Sequence, residues 1–205
     1  MRLCLSMFVP ALALTLGACA TGQTGTPPAN IAPILSGPET TDAYSYARPH
    51  EARVTHVALD LNLDFAARAV AGTATLDIAA APGATEVRLD TQDLTVSRVT
   101  DGSNRALPFE LGAAEAGVAG RPLIVRFGTA RRITVHYRTA ADPAALQFLT
   151  PQQTAGGRHP YLLSQGQPIL NRTWIPTQDS PGIRQTWEAS ITAPTPLTVV
   201  MSGER

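Results

Sequence analysis

The amino-acid sequence predicts an all-β domain, either a sandwich or one large curved sheet, built mainly of hairpins. Apolar and polar residues alternate over several short runs, which is the period of a strand with one buried face. Turn signals such as Pro82-Gly83 and Asp101-Gly102 separate these runs. The apolar spacing of an amphipathic helix is missing, and the segment Ala113–Ala119 is short and broken by glycine.

The strands are predicted in order along the chain, and the first is the clearest. Five apolar residues from Val57 to Phe65 alternate with smaller or polar residues. A second strand is predicted over Gly72–Ile78, and Ala66–Ala69 makes the hairpin connection. Six later runs are also predicted strands: Glu86–Asp90, Leu94–Val99, Leu123–Phe127, Ile133–Tyr137, Trp187–Ala193 and Leu197–Met201.

The overall composition gives no electrostatic argument for nucleic acid as a partner, and none is predicted. Sixteen basic residues offset sixteen acidic ones in the 205-residue chain. The chain can supply one folded domain of roughly 160 residues, which is large enough for a hydrophobic core without disulfides. Its two cysteines, Cys4 and Cys19, leave the mature domain no thiol pair for a disulfide or a cysteine metal site.

Residues 1–18 are predicted to be a lipoprotein signal peptide. Arg2 precedes an apolar run at positions 3–16 that is too short to span a bilayer. The sequence LGAC at positions 16–19 resembles the lipobox of bacterial lipoproteins, which implies cleavage before Cys19 and acylation of that residue. Several acyl chains on one residue give stable anchoring to a membrane. The alternative is an ordinary signal peptide with a chance cysteine.

Residues 19–43 are predicted to be a flexible tether between the lipid and the folded domain. Small residues, proline and glycine dominate this segment, and its apolar residues do not recur at the spacing of a helix or a strand. Ala20 rather than an aspartate follows the cysteine, and by resemblance to Gram-negative lipoproteins this favours the periplasmic face of the outer membrane. The folded domain is predicted over residues 44–205.

Neither catalytic residues nor metal ligands are predicted within this chain. His50 and Glu51 begin like the helical zinc-protease motif, but Val54 stands where the second histidine is needed, and Arg53 leads into a strand. The sequence contains neither a serine elbow nor a glycine-rich phosphate loop. We therefore expect this chain alone to bind no zinc and to hydrolyse nothing.

A polar stretch near the end of the chain carries a family resemblance. Its residues are Ser164-Gln165-Gly166-Gln167-Pro168, Asn171-Arg172, Trp174-Ile175-Pro176 and Gln178-Asp179-Ser180-Pro181. The stretch resembles the N-terminal domain of zinc aminopeptidases of the aminopeptidase N family, closest to the leukotriene A(4) hydrolase branch. The resemblance runs from Tyr44 to the last residue, and Leu89–Val96 also fits it.

The resemblance implies a saddle-like domain of large curved and smaller β-sheets, with one loop that enters the active-site cleft of a following domain. Gln165, Gly166, Gln167 and Pro168 match that loop. Gln167 stands where typical members have a glutamate that helps to bind the free amine of the substrate. Glutamine keeps two acceptor lone pairs and adds two donors, but it loses the charge. The alternative is that both glutamines only satisfy neighbouring backbone groups.

Arg172 and Asp179 are predicted to frame this loop. By resemblance they belong to the family motif, and by chemistry two opposite charges close to Pro176 and Pro181 suit a loop brace. Proline limits backbone freedom before binding, which lowers the ordering cost. We interpret the polar stretch as a rigid loop that presents hydrogen-bonding groups to a substrate held by another domain.

By this resemblance the longer parent protein is a zinc metallo-aminopeptidase that removes N-terminal residues from peptides. Its zinc ligands and catalytic residues are expected in a C-terminal catalytic domain outside this chain. The expected partners are therefore peptide substrates, that catalytic domain and, through the lipid, a membrane. The chain stops soon after its last predicted strand and is expected to be a fragment. The alternative is a free-standing β-sandwich lipoprotein that acts as a binding module.

Overall fold

The computed structural model describes residues 41–204. The predicted signal peptide 1–18, the acylation site Cys19 and the tether up to residue 40 lie outside the described residues. Within residues 41–204, no helix is long and apolar enough to cross a membrane. The described part consists almost entirely of strands and loops, which confirms the predicted all-β class.

Ten strands and two short 3-10 turns make up the regular structure of residues 41–204. The turns are Pro151–Gln153 and Asn171–Thr173. The strands are β1 Ala52–Asp64, β2 Ala69–Ala80, β3 Glu86–Thr91, β4 Leu94–Asp101, β5 Phe109–Leu111, β6 Arg121–Arg126, β7 Arg132–Thr139, β8 Leu146–Leu149, β9 Tyr161–Ser164 and β10 Thr186–Thr192.

These strands form one large sheet and two smaller ones. The large sheet has the strand order β10-β1-β2-β7-β4, the second has the order β3-β6-β5, and β8 pairs with β9. Every strand pairing among the described residues is antiparallel, except that of β10 with β1, which is parallel. The predicted combination of a large sheet and smaller, mostly antiparallel sheets is confirmed.

Strand β1 shows why the period of two predicts the large sheet. Val57, Leu59 and Leu61 are at most 6% exposed, whereas Asp60 and Asn62, on the opposite face of the strand, are exposed to solvent. Burial of one such aliphatic side chain contributes about 1.5–3 kcal/mol to folding. The three-stranded sheet adds four buried residues to the same hydrophobic cluster: Val87, Leu89, Leu123 and Val125.

The hairpin between β1 and β2 turns over residues 65–68, one residue earlier than predicted. Asp64 Oδ1 accepts a hydrogen bond from the backbone N of Ala67 at 2.8 Å, and Arg68 has a positive φ of 51°. The Arg68 guanidinium pairs with Asp142, just after β7. The hairpin connection is therefore held by a local carboxylate and by one ion pair to a neighbouring turn.

The predicted strand Leu197–Met201 is wrong. None of its residues belongs to a strand, and its fourth residue, Val200, is 84% exposed. An extended segment becomes a strand only where a neighbouring strand takes up its backbone hydrogen bonds. None of the ten described strands pairs with this segment, so its apolar alternation alone does not make it a strand.

Three short strands have no counterpart in the sequence prediction. Strands β5, β8 and β9 have three or four residues each, which is too short for a period of two to be recognised. Strands β8 and β9 pair in a register that sets Leu146 opposite Ser164. This small sheet therefore leads the chain directly into the polar stretch.

Candidate functional site

The loop at residues 165–170 follows β9 directly, and its backbone is hydrogen-bonded at both ends. The backbone N of Gln165 donates to the carbonyl of Ala145 at 2.8 Å. The backbone N of Leu170 donates to the carbonyl of Gly166, also at 2.8 Å. The loop is therefore a compact turn fixed to the residue that precedes β8.

Gln165, Gln167 and Pro168 are all exposed, but the two glutamines use their side chains differently. Gln165 Oε1 accepts a hydrogen bond from the backbone N of Gln167 at 2.9 Å. Within residues 41–204, no group hydrogen-bonds the side-chain amide of Gln167. Gln165 thus serves the loop itself, whereas Gln167 presents its amide to solvent.

Gly166 lies where the loop meets Asn171. A Cβ atom at this glycine would collide with the side-chain amide of Asn171, so the close approach needs a glycine. Asn171 Oδ1 accepts from Trp174 Nε1 at 3.3 Å, and its Nδ2 donates to Asp179 Oδ1 at 3.4 Å. Asn171 therefore links the loop to Asp179, a role that the sequence prediction does not include.

Arg172 is completely buried and contacts Asp179 in several ways. Asp179 Oδ2 accepts from Arg172 Nε at 3.3 Å and from the Arg172 backbone N at 3.1 Å, and the Asp179 carbonyl accepts from Nη2 at 3.0 Å. Arg172 Nη1 donates to the carbonyl of Ala119 at 3.0 Å. A buried guanidinium without such acceptors would be costly. The structure thus brings together the two residues that the sequence assigned to the frame.

A second carboxylate, Asp90, contacts the same pair and is absent from the sequence prediction. It is fully buried and accepts hydrogen bonds from Ser45 Oγ at 2.6 Å, from Tyr46 N at 2.7 Å and from Asp179 N at 2.9 Å. Arg172 Nη2 lies 3.9 Å from it. Burial raises the pKa of Asp90 above its ordinary value, while the Ser45 hydroxyl and the Arg172 charge act in the opposite direction. We call Asp90, Arg172 and Asp179 the loop frame.

Gln178 is a further buried polar residue that the sequence does not single out. Its Nε2 donates to the carbonyls of Ala52 at 2.9 Å and Arg88 at 3.3 Å, and its Oε1 accepts from Val54 N at 2.9 Å. These partners belong to β1 and β3, which lie in different sheets. Gln178 therefore bonds to the backbone of the domain and is too deeply buried, at 1% exposed, to meet a ligand.

The burial of Asp90 has no local signal in the sequence. Asp90 follows the buried Leu89 in β3, so the period of two places its side chain on the opposite face. That face is covered because Asp90 forms a bridge with Thr177, and its bond to Asp179 N spans 89 positions of the chain. Only a contact between distant segments buries this carboxylate.

The histidines contact neighbouring residues of the domain rather than one another. Within residues 41–204, no three His, Cys, Asp or Glu side chains lie close enough to hold a metal ion. His56 Nδ1 lies 2.8 Å from Oγ1 of Thr186, across the pairing of β1 with β10. His50 Nε2 lies 3.6 Å from Glu51 in the turn before β1, so this pair is not on a helix.

Comparisons with known proteins agree with this architecture. A family model described as the peptidase M1 N-terminal domain matches residues 44–205. Leukotriene A-4 hydrolase of Xenopus laevis is 33% identical over 171 residues, which cover 80% of this chain and 28% of that protein. Aminopeptidase B of Mus musculus is 31% identical over 193 residues, which cover 83% of this chain and 30% of that protein. The structure of yeast LTA4 hydrolase in complex with bestatin has a TM-score of 0.70 at 27% identity, covering 79% of this chain and 26% of that one.

The matched range includes all ten described strands, the loop at residues 165–170 and the loop frame. The chain belongs to the peptidase M1 N-terminal domain family. This confirms the family resemblance seen in the sequence. The chain spans less than a third of the length of the two relatives.

Proposed function

We propose that this chain is the N-terminal domain of a longer zinc metallo-aminopeptidase, which removes N-terminal residues from peptides. In this proposal the loop at residues 165–170 binds the free amine of the substrate through Gln167. Membership of the M1 family and the likeness to aminopeptidase B support the peptidase activity. The observation that supports the role of the loop is the exposed Gln167 amide, which has no hydrogen-bond partner within residues 41–204.

The chemistry of Gln167 suits an ammonium group. Its side-chain oxygen has two acceptor lone pairs, and an N-terminal ammonium offers donors to them. The bond is weaker than one to a carboxylate because glutamine carries no charge. The backbone hydrogen bonds at both ends of the loop lower the cost of ordering it around a substrate.

Zinc is proposed for the longer protein and not for this chain. The described residues do not fit a zinc site, which needs three or four His, Cys or carboxylate ligands. The family resemblance of the sequence implies that the ligands and the catalytic residues belong to a C-terminal catalytic domain. We therefore expect the present chain alone to hydrolyse no peptide, with or without added zinc.

An apolar cleft beside the loop supports a contact with that catalytic domain. The cleft has a volume of about 210 Å³ and reaches Ser164 just before the loop, and among residues 41–204 no charged residue lines it. Tyr161 and Val200, which line it, are 53% and 84% exposed. Apolar surface exposed in this way is typical of interaction sites. In the longer protein we expect the catalytic domain to pack against this cleft.

We also propose that the protein is exported and anchored by lipid at Cys19. The support is the lipobox-like sequence at positions 16–19 and the predicted flexible tether that follows it. Ala20 after the cysteine favours the periplasmic face of the outer membrane, and a tether of this composition would hold the domain clear of the lipid headgroups.

Kinetics of two substitutions in the longer enzyme test the role of the loop. Gln167→Ala should lower kcat/KM for peptides with a free amine by about two- to hundredfold, because the bond to the amine is lost. Gln167→Glu should raise kcat/KM for the same peptides, because it restores a charge. N-acetylated peptides should gain nothing from the glutamate, since they lack the cation.

Gln152→Ala is the matched control, because Gln152 is also an exposed glutamine and lies in the turn Pro151–Gln153. It should leave both kcat/KM and the melting temperature unchanged. If Gln167→Ala leaves the kinetics unchanged and lowers the melting temperature, the loop is scaffold and the proposed role of Gln167 is wrong.

A further inference from the structure

Asp90 is a buried carboxylate that the proposed binding of substrate does not use. It accepts hydrogen bonds from two distant segments, from Ser45 Oγ and Tyr46 N at 2.6 and 2.7 Å and from Asp179 N at 2.9 Å. Removing a carboxylate from water is costly unless such bonds replace the water. Asp90 therefore depends on both segments remaining in place.

The first of these segments is the entry segment, residues 42–46, which precedes β1. Asp42 Oδ2 accepts a hydrogen bond from Ser180 Oγ at 2.5 Å. Ser180 follows Asp179 directly in the chain. The hydroxyl of Tyr46 donates to the carbonyl of Gly120 at 3.0 Å, and Tyr46 is 6% exposed. The entry segment thus contacts both Asp90 and Ser180, which lies near the C-terminal end of the polar stretch.

The second segment continues from Asp179 to the loop. Asp179 accepts from Arg172 Nε and from Asn171 Nδ2, at 3.3 and 3.4 Å. The amide of Asn171 occupies the space in which a Cβ atom at Gly166 would lie. An unbroken series of contacts therefore connects Asp90 with the loop residue next to Gln167.

We propose that Asp90 is a positioning residue, which joins the entry segment to the loop frame and so determines where the loop at residues 165–170 stands. It acts through Asp179 and Asn171, since its own bond ends at the backbone N of Asp179. The proposal rests on the proposed role of Gln167, but the position of the loop can be measured without any substrate.

Hydrogen exchange of the purified protein tests whether Asp90 controls the loop at residues 165–170. Asp90→Asn keeps the shape of the side chain, but its single oxygen cannot accept both from Tyr46 N and from the pair Asp179 N and Ser45 Oγ, so in either orientation of the amide one of the two segments loses its acceptor. The hydrogen-bonded amides of this loop, those of Gln165, Gln167 and Leu170, should exchange about three- to tenfold faster, the change that corresponds to one lost hydrogen bond. An equal acceleration throughout the domain would overturn the proposal, because it would show only a general loss of stability.

Asp101→Asn is the matched control. Asp101 is also buried and accepts hydrogen bonds from two backbone amides, those of Ser103 at 2.8 Å and Arg105 at 3.0 Å. This substitution should change exchange at its own turn and leave residues 165–170 unchanged. If it accelerates exchange at 165–170 as much as Asp90→Asn does, Asp90 has no special role in positioning the loop.

Kinetics of the longer enzyme separate this proposal from that of substrate binding. Asp90→Asn should raise KM for free-amine peptides more than it lowers kcat, and it should have little further effect in a Gln167→Ala background. Additive effects of the two substitutions would overturn the proposal, because Asp90 would then not act through the loop. If Gln167→Ala alone has no effect, the proposed function fails, while the exchange result still decides the role of Asp90.

Ser45→Ala provides a second variant in case Asp90→Asn does not fold. It removes one donor to Asp90 and keeps the bonds from Tyr46 N and Asp179 N. Exchange at residues 165–170 should rise by about two- to threefold, without a general change. Unchanged loop exchange in Ser45→Ala, together with an unfolded Asp90→Asn, would show that Asp90 only stabilises the core and would overturn the proposal.

Discussion

At the scale of single residues, glutamine has three different roles within one polar stretch. Gln178 is buried and bonds to the backbone of two sheets, and Gln165 bonds to the backbone of its own loop. Gln167 is exposed, and within residues 41–204 its side chain has no hydrogen-bond partner. The residue type is the same in each case, so partners and burial decide which glutamine can meet a ligand.

Tyr137 shows the opposite situation, a buried polar group without a partner. It is 4% exposed, burial raises the pKa of its hydroxyl, and the hydroxyl has no hydrogen-bond partner within residues 41–204. Tyr137→Phe should therefore change the free energy of unfolding by less than about 1 kcal/mol, or increase it, since an unsatisfied hydroxyl is removed. Urea denaturation of the two proteins measures this difference.

Tyr46→Phe is the control for this prediction. The Tyr46 hydroxyl donates to the carbonyl of Gly120 and accepts from Glu115 N at 3.1 Å. Its loss should destabilise the domain by about 1–3 kcal/mol, because partners are left unsatisfied. A larger loss of unfolding free energy for Tyr137→Phe than for Tyr46→Phe would contradict the conclusion that the Tyr137 hydroxyl has no hydrogen-bond partner within residues 41–204.

At the scale of elements, the loop frame determines the stability of the polar stretch. Asp179→Ala should destabilise the domain by about 3–5 kcal/mol, because it leaves the fully buried Arg172 without its main partner. Thermal denaturation followed by circular dichroism checks this. Glu110→Ala is the control: Glu110 pairs with Arg126 at 2.8 Å, both side chains are about half exposed, and its loss should cost at most about 1 kcal/mol.

The turn that follows β4 should make the stability of the domain depend on pH. The pKa of Asp101 is held below 3.8, first by the hydrogen bond from the backbone amide of Arg105 and then by the Arg105 side chain and the amide of Ser103. A carboxylate with a lowered pKa in the folded state stabilises the fold fully above its unfolded pKa, and this contribution is lost as the pH falls through the folded pKa. Asp101→Asn should thus be less stable than the wild type at neutral pH.

The difference between Asp101→Asn and the wild type should shrink as the pH falls below about 3.8, the ordinary value for this carboxyl. Urea denaturation at neutral pH and at a series of acidic pH values measures it. In Asn, Oδ1 still accepts from both backbone amides, whereas an NH2 group replaces the oxygen that pairs with the Arg105 side chain, so the change reports the loss of the charge and of that ion pair. A difference that stays constant at every pH would contradict the lowered pKa.

At the scale of the whole molecule, the chain contains no lysine, because all sixteen of its basic residues are arginine. If Cys19 is acylated on both its thiol and its amine, the tryptic peptide 19–53 has no primary amine at all. We expect an amine-reactive reagent to leave this peptide unlabelled under denaturing conditions, and mass spectrometry to find it with added acyl chains. A labelled, unmodified peptide would contradict the lipid anchor.

Cys19→Ala and globomycin, which blocks lipoprotein signal cleavage, provide independent controls. The substitution should release the protein into the soluble fraction or leave its signal uncleaved. Globomycin should make the precursor accumulate. Unchanged fractionation and processing in both experiments would contradict acylation of Cys19 and favour an ordinary signal peptide with a chance cysteine.

The sequence alone was sufficient for the long strands and the family, and for the pair Arg172 and Asp179. A run such as β1 buries alternate residues along one strand, so its pattern is local and appears in the sequence. The pair lies 7 positions apart within one motif, so a family resemblance identifies it. Seven of the eight predicted strands correspond to observed ones for the same reason.

Only the tertiary structure decided the parallel pairing of β10 with β1, the failure of Leu197–Met201 as a strand, and the burial of Asp90 and Gln178. Strand pairing depends on which distant segment supplies the hydrogen bonds, and no local period records that choice. The decisive bonds of Asp90 and Gln178 span 89 and 124 positions. Periodicity describes the two faces of one strand, whereas the covering of a polar face by a remote segment is a property of the folded chain.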